Sequence, residues 1–402
     1  MAQTAPTPVG NIATPQSAQS GLRHLMRKLA RFSKPDREQS VAWAPATTVK
    51  FATALATDSF ISAYQLRLRG RLVVANANLL NSIVDPLRNL IQQIRITGQH
   101  AVQGNQRVVV ATAKMLDLCN RAYMYGYTPQ DILSASLATP IAQGTYDFDI
   151  GLISPLWPLG IDMRQVPLYS LKGPDWAGNL NMECDTGDYT SIGGTVAANV
   201  TWSSYGSGSG SPTLYCSRIR PRLSVPVLNE ISPAICFKGA TYLDNVIGTN
   251  GTSFTDQVLA NLNIGKRHCG FEILQGTLQS GLTGNTRAYS ALSSTAAVTR
   301  AMVSLDSKEL VSPWFGSEEL EWNAFVECYG PPAGLLSYNF LEESGNPDAA
   351  FPAEQLTAAR RFQINADVTA ASGKGGELLQ IELLGSPAIG PQAQTAAASS
   401  NS

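Results

Sequence analysis

Three histidines are the whole supply of neutral-pH bases in this 402-residue chain: His24, His100 and His268. They lie apart in sequence, and no serine sits in a Gly-x-Ser-x-Gly elbow, so nothing in the sequence sets a nucleophile against a base and an orienting acid. The six cysteines (119, 184, 216, 236, 269 and 328) contain no Cys-x-x-Cys pair, and only Cys269 has a histidine neighbour. They read as reduced, buried small hydrophobes rather than metal ligands or disulfides. Acids are paired at Asp147 and Asp149, at Glu318 and Glu319, and at Glu342 and Glu343. Two acids on facing strands can hydrolyse a glycoside, but such pairs serve equally as solvated strand edges or as arginine partners, and the second use is expected here. The glycine run from Gly206 to Gly210 lacks the lysine that would hold a phosphate. Trp157, Trp176 and Trp202 could line a sugar site, although tryptophans around loops are more often packing anchors. No catalytic residue, cofactor site or metal site is assigned, and the chain is not expected to be an enzyme.

The elements that would position such residues are mostly strands. From Tyr64 to Val74 the apolar residues Tyr64, Leu66, Leu68, Leu72 and Val74 alternate with Gln65, Arg67, Arg69 and Arg71, which predicts a strand with one face in a core. Leu90, Ile91, Ile94 and Ile96 predict a second strand ending at Gly98, and a further β pattern runs from Val49 to Leu55. Met115, Leu118, Cys119 and Ala122 recur at helical spacing, which places a helix over Val108 to Tyr123. Residues 145–153 alternate again, with Asp147 and Asp149 on the polar side. Residues 159–216 are rich in Gly, Ser and Asp and weakly patterned, so they predict a long surface excursion. Arg218 to Val227 repeats the arginine device with Arg218, Arg220 and Arg222 on one face; two such strands need acids or an anionic partner nearby, and the Asp147 and Asp149 face is the candidate within the chain.

A second set of strands begins near Ile235. It includes Cys269 to Thr277, Ala301 to Leu305, Glu319 to Tyr329 and Phe362 to Val368, with a turn at Gly373-Lys374-Gly375-Gly376 closing a hairpin into Leu379, Ile381 and Leu383. The length suits two β-sandwiches. The sequence divides into an arm over 1–40, a first sandwich over 41–229, a second over 230–387 and a flexible tail over 388–402. Charged residues are only 15% of the chain, which fits surfaces covered by other protein.

The arm is the one place where charge is concentrated. Its first 20 residues are Pro-, Ala-, Thr- and Gln-rich, with no apolar core of the sort a secretory leader has, so synthesis without export is expected. Leu22, Leu25, Met26, Leu29 and Phe32 then form a helical stripe, with Arg23, Arg27, Lys28 and Arg31 around it. Residues 21–40 hold six basic residues against two acids, a balance of +4 in a chain whose total is −1. A cationic amphipathic helix of this kind lies on an anionic membrane or docks on a partner.

Taken together, the basic arm, the strand Ala63-Tyr-Gln-Leu-Arg-Leu-Arg-Gly-Arg-Leu-Val-Val74, the Asp85-Pro-Leu-Arg-Asn-Leu-Ile91 segment, the intervening helix, the strand ending at Pro155 and the second set of strands resemble the major capsid proteins of tailless, membrane-containing icosahedral phages, the tectivirus-like and corticovirus-like group. The resemblance covers about residues 20 to 385. It implies an all-β double jelly roll, two consecutive jelly-roll sandwiches, with a short N-terminal amphipathic helix and a helix inserted in the first sandwich. It further implies pseudo-hexagonal homotrimers that tile a virion shell around a membrane and genome. The partners implied are neighbouring capsomers, penton or minor capsid proteins and, through the arm, an internal lipid membrane; no sequence-specific nucleic-acid binding is implied. Assembly after synthesis in a host cytoplasm fits reduced cysteines. The other reading open at this point is a carbohydrate- or receptor-binding β-sandwich protein of a phage fibre or lectin-like type, dependent on loop aromatics.

Overall fold

The structure is a computed structural model. It describes residues 36–51, 60–76, 81–101, 104–124, 131–133, 140–159, 170–176, 180–221, 240–247, 253–263, 266–279, 288–293, 297–306, 309–328, 331–340, 351–352, 361–369 and 373–383. The arm residues Leu22 to Phe32, His24, Cys236, Glu342, Glu343 and the tail lie outside the described residues.

Strand Ala63–Val74 lies at the centre of the first sandwich. Its even-numbered side chains are all buried, as the alternation requires. Gly144–Pro155 pairs along its whole length on one side. Thr213–Ile219 and Val200–Ser203 share the other side, and Asp36–Ala42 pairs outside Thr213–Ile219. Gly70 falls at an inward position because any Cβ there would meet Pro212 Cβ at 2.6 Å.

Eight principal strands of the first half, taken in chain order, are Asp36–Ala42, Thr48–Lys50, Ala63–Val74, Ile91–His100, Gly104–Thr112, Gly144–Pro155, Asn181–Thr186 and Thr213–Ile219. They form two sheets, in the orders 1-8-3-6 and 2-7-4-5. The second half repeats this with Ala240–Ile247, Phe254–Asn261, Arg267–Leu278, Val298–Leu305, Glu309–Leu310, Leu335–Asn339, Phe362–Val368 and Lys374–Leu383, again in the orders 1-8-3-6 and 2-7-4-5. Each half is therefore a jelly roll. The rolls are joined edge to edge: strand 5 of the first pairs in parallel with strand 1 of the second, Val109 opposite Tyr242 and Val110 opposite Leu243, so that one ten-stranded sheet runs through both. Each roll inserts one helix between its strands 5 and 6, α1 (Ala113–Tyr123) and α2 (Ser317–Glu327).

Six expectations need correction. The helix expected over 108–123 starts only at Ala113; the β-branched run Val108 to Val110 belongs to a strand, and Thr112 caps the helix by accepting from Met115 N at 3.1 Å. Glu319 to Tyr329, read as a strand, is α2. Leu320, Ala324 and Cys328 are buried at every fourth position, a spacing that a period of two also contains, and the acids Glu318 and Glu319 in the first turn are the signal that separates the two readings. The 362–368 and 374–383 strands are not a hairpin. They are strands 7 and 8 of a roll and lie in opposite sheets, since a glycine turn reverses the chain without specifying its pairing. Residues 159–216 are not only an excursion: Asn181–Thr186 is an internal strand flanked by Ile91–His100 and Thr48–Lys50, while residues 204–212 do form a turn-rich loop. The first roll begins within the expected arm, at Asp36, and Arg218 is buried rather than outward, because it continues the inward positions of Leu214 and Cys216 and stands opposite the buried Tyr64.

Leu68, fully buried in the central strand, provides a test of this core. Leu68→Ala is expected to lower unfolding free energy by about 2–5 kcal/mol in a denaturant titration, and an effect under about 1 kcal/mol would contradict the packing described.

Candidate functional site

Among the described residues the cysteines, His100, His268, Trp157, Trp176 and Trp202 are held in packing. The described cysteines are all free and buried. Burial pushes the Cys119 and Cys216 thiols well up and the Cys184 thiol to about 12, so they stay protonated and unreactive. His268 is buried with Nε2 2.8 Å from the Asn263 carbonyl and Nδ1 3.7 Å from Glu382. His100 packs edge-on to Trp176 at 5.4 Å. Trp157 and Trp176 are buried, and Trp202 is half-buried against Trp43 at 5.2 Å, so all three are packing anchors. A polar groove of about 560 Å³ opens where the rolls meet, lined by Asn105, Arg107, Asn261, Lys266 and others. No group of three potential metal ligands occurs among the described residues.

The acids expected to answer the arginines do so. Register sets Asp149 opposite Arg69 and Asp147 opposite Arg71. Arg71 holds Asp147 by two parallel bonds of 2.7 and 2.8 Å, and Arg67 holds Asp149 by bonds of 2.6 and 2.5 Å. The Arg71 bonds, aided by the Gly206 amide, draw the Asp147 carboxyl below its ordinary range. Arg69 lies 3.6 Å from Asp149 and 4.1 Å over the Tyr205 ring. Three arginines thus share two aspartates on the outer face of the first 1-8-3-6 sheet, a balance of +1 among these five side chains.

A different kind of contact holds the rolls together. All residues of α1 except Arg121 are buried. From this helix Tyr123 Oη donates to Glu272 and meets Ser337 Oγ at 2.8 Å, and the capping Thr112 donates to Glu377 at 2.6 Å; all three partners belong to the second roll. Tyr242 of the second roll donates to the Trp157 carbonyl. Beneath the helix, Asp117 is 2.7 Å from Arg88 and 2.5 Å from Arg121, while Arg88 also reaches Asp131 at 2.7 Å. Burial raises the Asp117 pKa in spite of both arginines. Sequence reading missed this cluster because its members lie on three separate segments, although Arg88 and Asp117 are unusual charges within apolar patterns.

Helix α2 presents the opposite picture. Trp322, Phe325 and Val326 are 64%, 63% and 65% exposed, and the two rings stack at 5.4 Å. This is the largest group of exposed apolar side chains among the described residues, and it lies on the helix that the sequence pattern disguised as a strand.

No protein-family model matches the chain, and no curated protein sequence does. Among solved structures, the STIV major capsid protein is 11% identical with a TM-score of 0.57, over 88% of this chain and 96% of that one. A chain from the atomic structure of Sulfolobus turreted icosahedral virus is 11% identical with a TM-score of 0.58, over 92% and 93%. At that identity the likeness is one of fold. The chain has the all-β double jelly-roll fold.

Lys114 tests the seam between the rolls. Its Nζ is 2.8 Å from the Val84 carbonyl and 5.5 Å from the Tyr289 ring centre, and burial lowers its pKa from 10.5 to about 8 against the pull of Asp85 and Glu377. Between these two values the unfolded chain binds more protons than the folded one, so this residue makes stability rise with pH across that window and contributes no such gain below it. Denaturant titrations at several pH values should show wild type gaining stability relative to Lys114→Met between about pH 8 and 10. Parallel curves would show that the amine titrates normally.

Proposed function

We propose that this chain is a major capsid protein that assembles as homotrimers of pseudo-hexagonal outline, tiling an icosahedral virion shell around an internal membrane and genome. The observation that carries this reading is the repeat of one strand order in two rolls fused through a single sheet. Three such chains around an axis present six similar units, which is the geometry a hexagonal tile requires. The match to the STIV capsid protein across nearly its full length supports the same role, a structural and non-enzymatic one in the virion. Neighbouring capsomers and penton or minor capsid proteins are the partners this role requires. The arm residues Leu22, Arg23, Leu25, Met26, Arg27, Lys28, Leu29, Arg31 and Phe32 would face an anionic lipid surface with their cationic side chains. Burial of Trp157 and Trp176 removes two of the loop aromatics on which the glycan-binding reading depended.

Light scattering of the purified chain should give three chain masses with a hexagonal outline in electron micrographs, and a monomer at high concentration would sink the proposal. The trimer should float with vesicles containing anionic lipid at low salt, and replacing Arg23, Arg27, Lys28 and Arg31 by glutamine should abolish flotation while leaving the trimer intact. Flotation that is indifferent to those four changes would remove the lipid role of the arm alone.

A further inference from the structure

Both rolls carry a helix between strands 5 and 6, but only one of the two helices is covered. Helix α1 lies on the outer face of the second roll's 1-8-3-6 sheet, where it meets Glu272 on strand 3, Ser337 on strand 6 and Glu377 on strand 8. The equivalent floor for α2 is the outer face of the first roll's 1-8-3-6 sheet, whose strand 3 carries Arg67, Arg69 and Arg71. Within one chain the step from the first roll to the second is already used by α1. The same step taken again from the second roll leads to the first roll of another copy, and a head-to-tail contact of this kind closes into a ring.

The charges agree with this pairing. Helix α2 contains Glu318, Glu319, Glu321 and Glu327 and no basic residue, while the arginine face has three guanidiniums for two aspartates. In the seam inside the chain it is the sheet that is acidic, with Glu272 and Glu377 taking hydroxyl donors from Tyr123 and the capping Thr112. Two α2 helices packed on each other would set acid against acid, which disfavours an isologous contact. The Trp322 and Phe325 faces suit guanidinium groups beneath them.

We propose that the α2 face formed by Glu318, Trp322, Phe325 and Val326 seats on the Arg67, Arg69 and Arg71 face of the first roll in a neighbouring copy. This rests on the capsid reading and names the contact that would hold its trimer. Arg69 is the arginine best placed to take a new partner, since its aspartate is shared with Arg67 and lies 3.6 Å away.

Cysteines introduced into the full chain at Trp322→Cys and Arg69→Cys test the contact directly. Under mild oxidation the double variant should run as linked dimers and trimers on a non-reducing gel, and each single variant should not. In sedimentation equilibrium, Trp322→Asp with Phe325→Asp should raise the dissociation constant of the trimer about 30-fold or more. Both residues are exposed, so circular dichroism and the melting of the monomer should be unchanged. Glu318→Arg should weaken the trimer, and adding Arg69→Glu should restore it. If wild type forms the trimer but the double cysteine variant does not link and the aspartate variant moves the constant less than about twofold, the α2 contact is wrong and the capsid reading stands. If wild type does not associate at all, it is the capsid reading that fails.

Discussion

Pairing of strand Ala63–Val74 on both of its edges, unbroken along one and interrupted only at Gly70 on the other, is the constraint on which the rest of this structure depends. With partners on both sides, its twelve residues cannot slip by one without turning Leu66, Leu68 and Leu72 out to solvent and the arginines into the core. Register then does the electrostatic work as well. Because Asp149 and Asp147 face Arg69 and Arg71 across the ladder, charges that would repel along one strand are tied to the next.

The second roll reuses this plan with other side chains. Its strand 3, Arg267–Leu278, is also paired on both edges, but its outward side chain at Glu272 is acidic and is buried under α1. What is a half-exposed, cationic face in one roll is a covered, acidic face in the other. The parallel contact between strands 5 and 1 is short, and the buried hydrogen bonds from Thr112, Tyr123 and Tyr242 add to it, so the seam between rolls is specified by polar groups that have no water to fall back on.

Among the described residues, burial raises the Cys184 thiol to about 12, His100 and His268 are engaged by Trp176 and the Asn263 carbonyl, and Asp147 is bound to Arg71. A large exposed apolar patch on a rigid helix is, by contrast, a feature that soluble monomers rarely keep.

Much of the fold was legible in the residues themselves. Strands 64–74, 145–153 and 362–368 announce themselves by alternation, because a buried face on a sheet imposes a period of two, and the partnership of Asp147 and Asp149 with the arginines followed from charge alone. The arm Leu22 to Phe32 is legible only as a pattern. What local pattern did not contain was pairing: the 362–368 and 374–383 strands look like a hairpin until the jelly-roll order sends them to opposite sheets, and Met182 and Cys184 look like loop residues until strand 91–100 pairs with them. Helix α2 was hidden for a related reason, since residues buried at 320, 324 and 328 satisfy both periods, and apart from the acids of its first turn only packing against strand 335–339 selects one. Sequence determines which face of each segment is apolar, a matter of neighbouring residues; which segments meet, and which helix is left bare, depends on contacts between residues hundreds of positions apart.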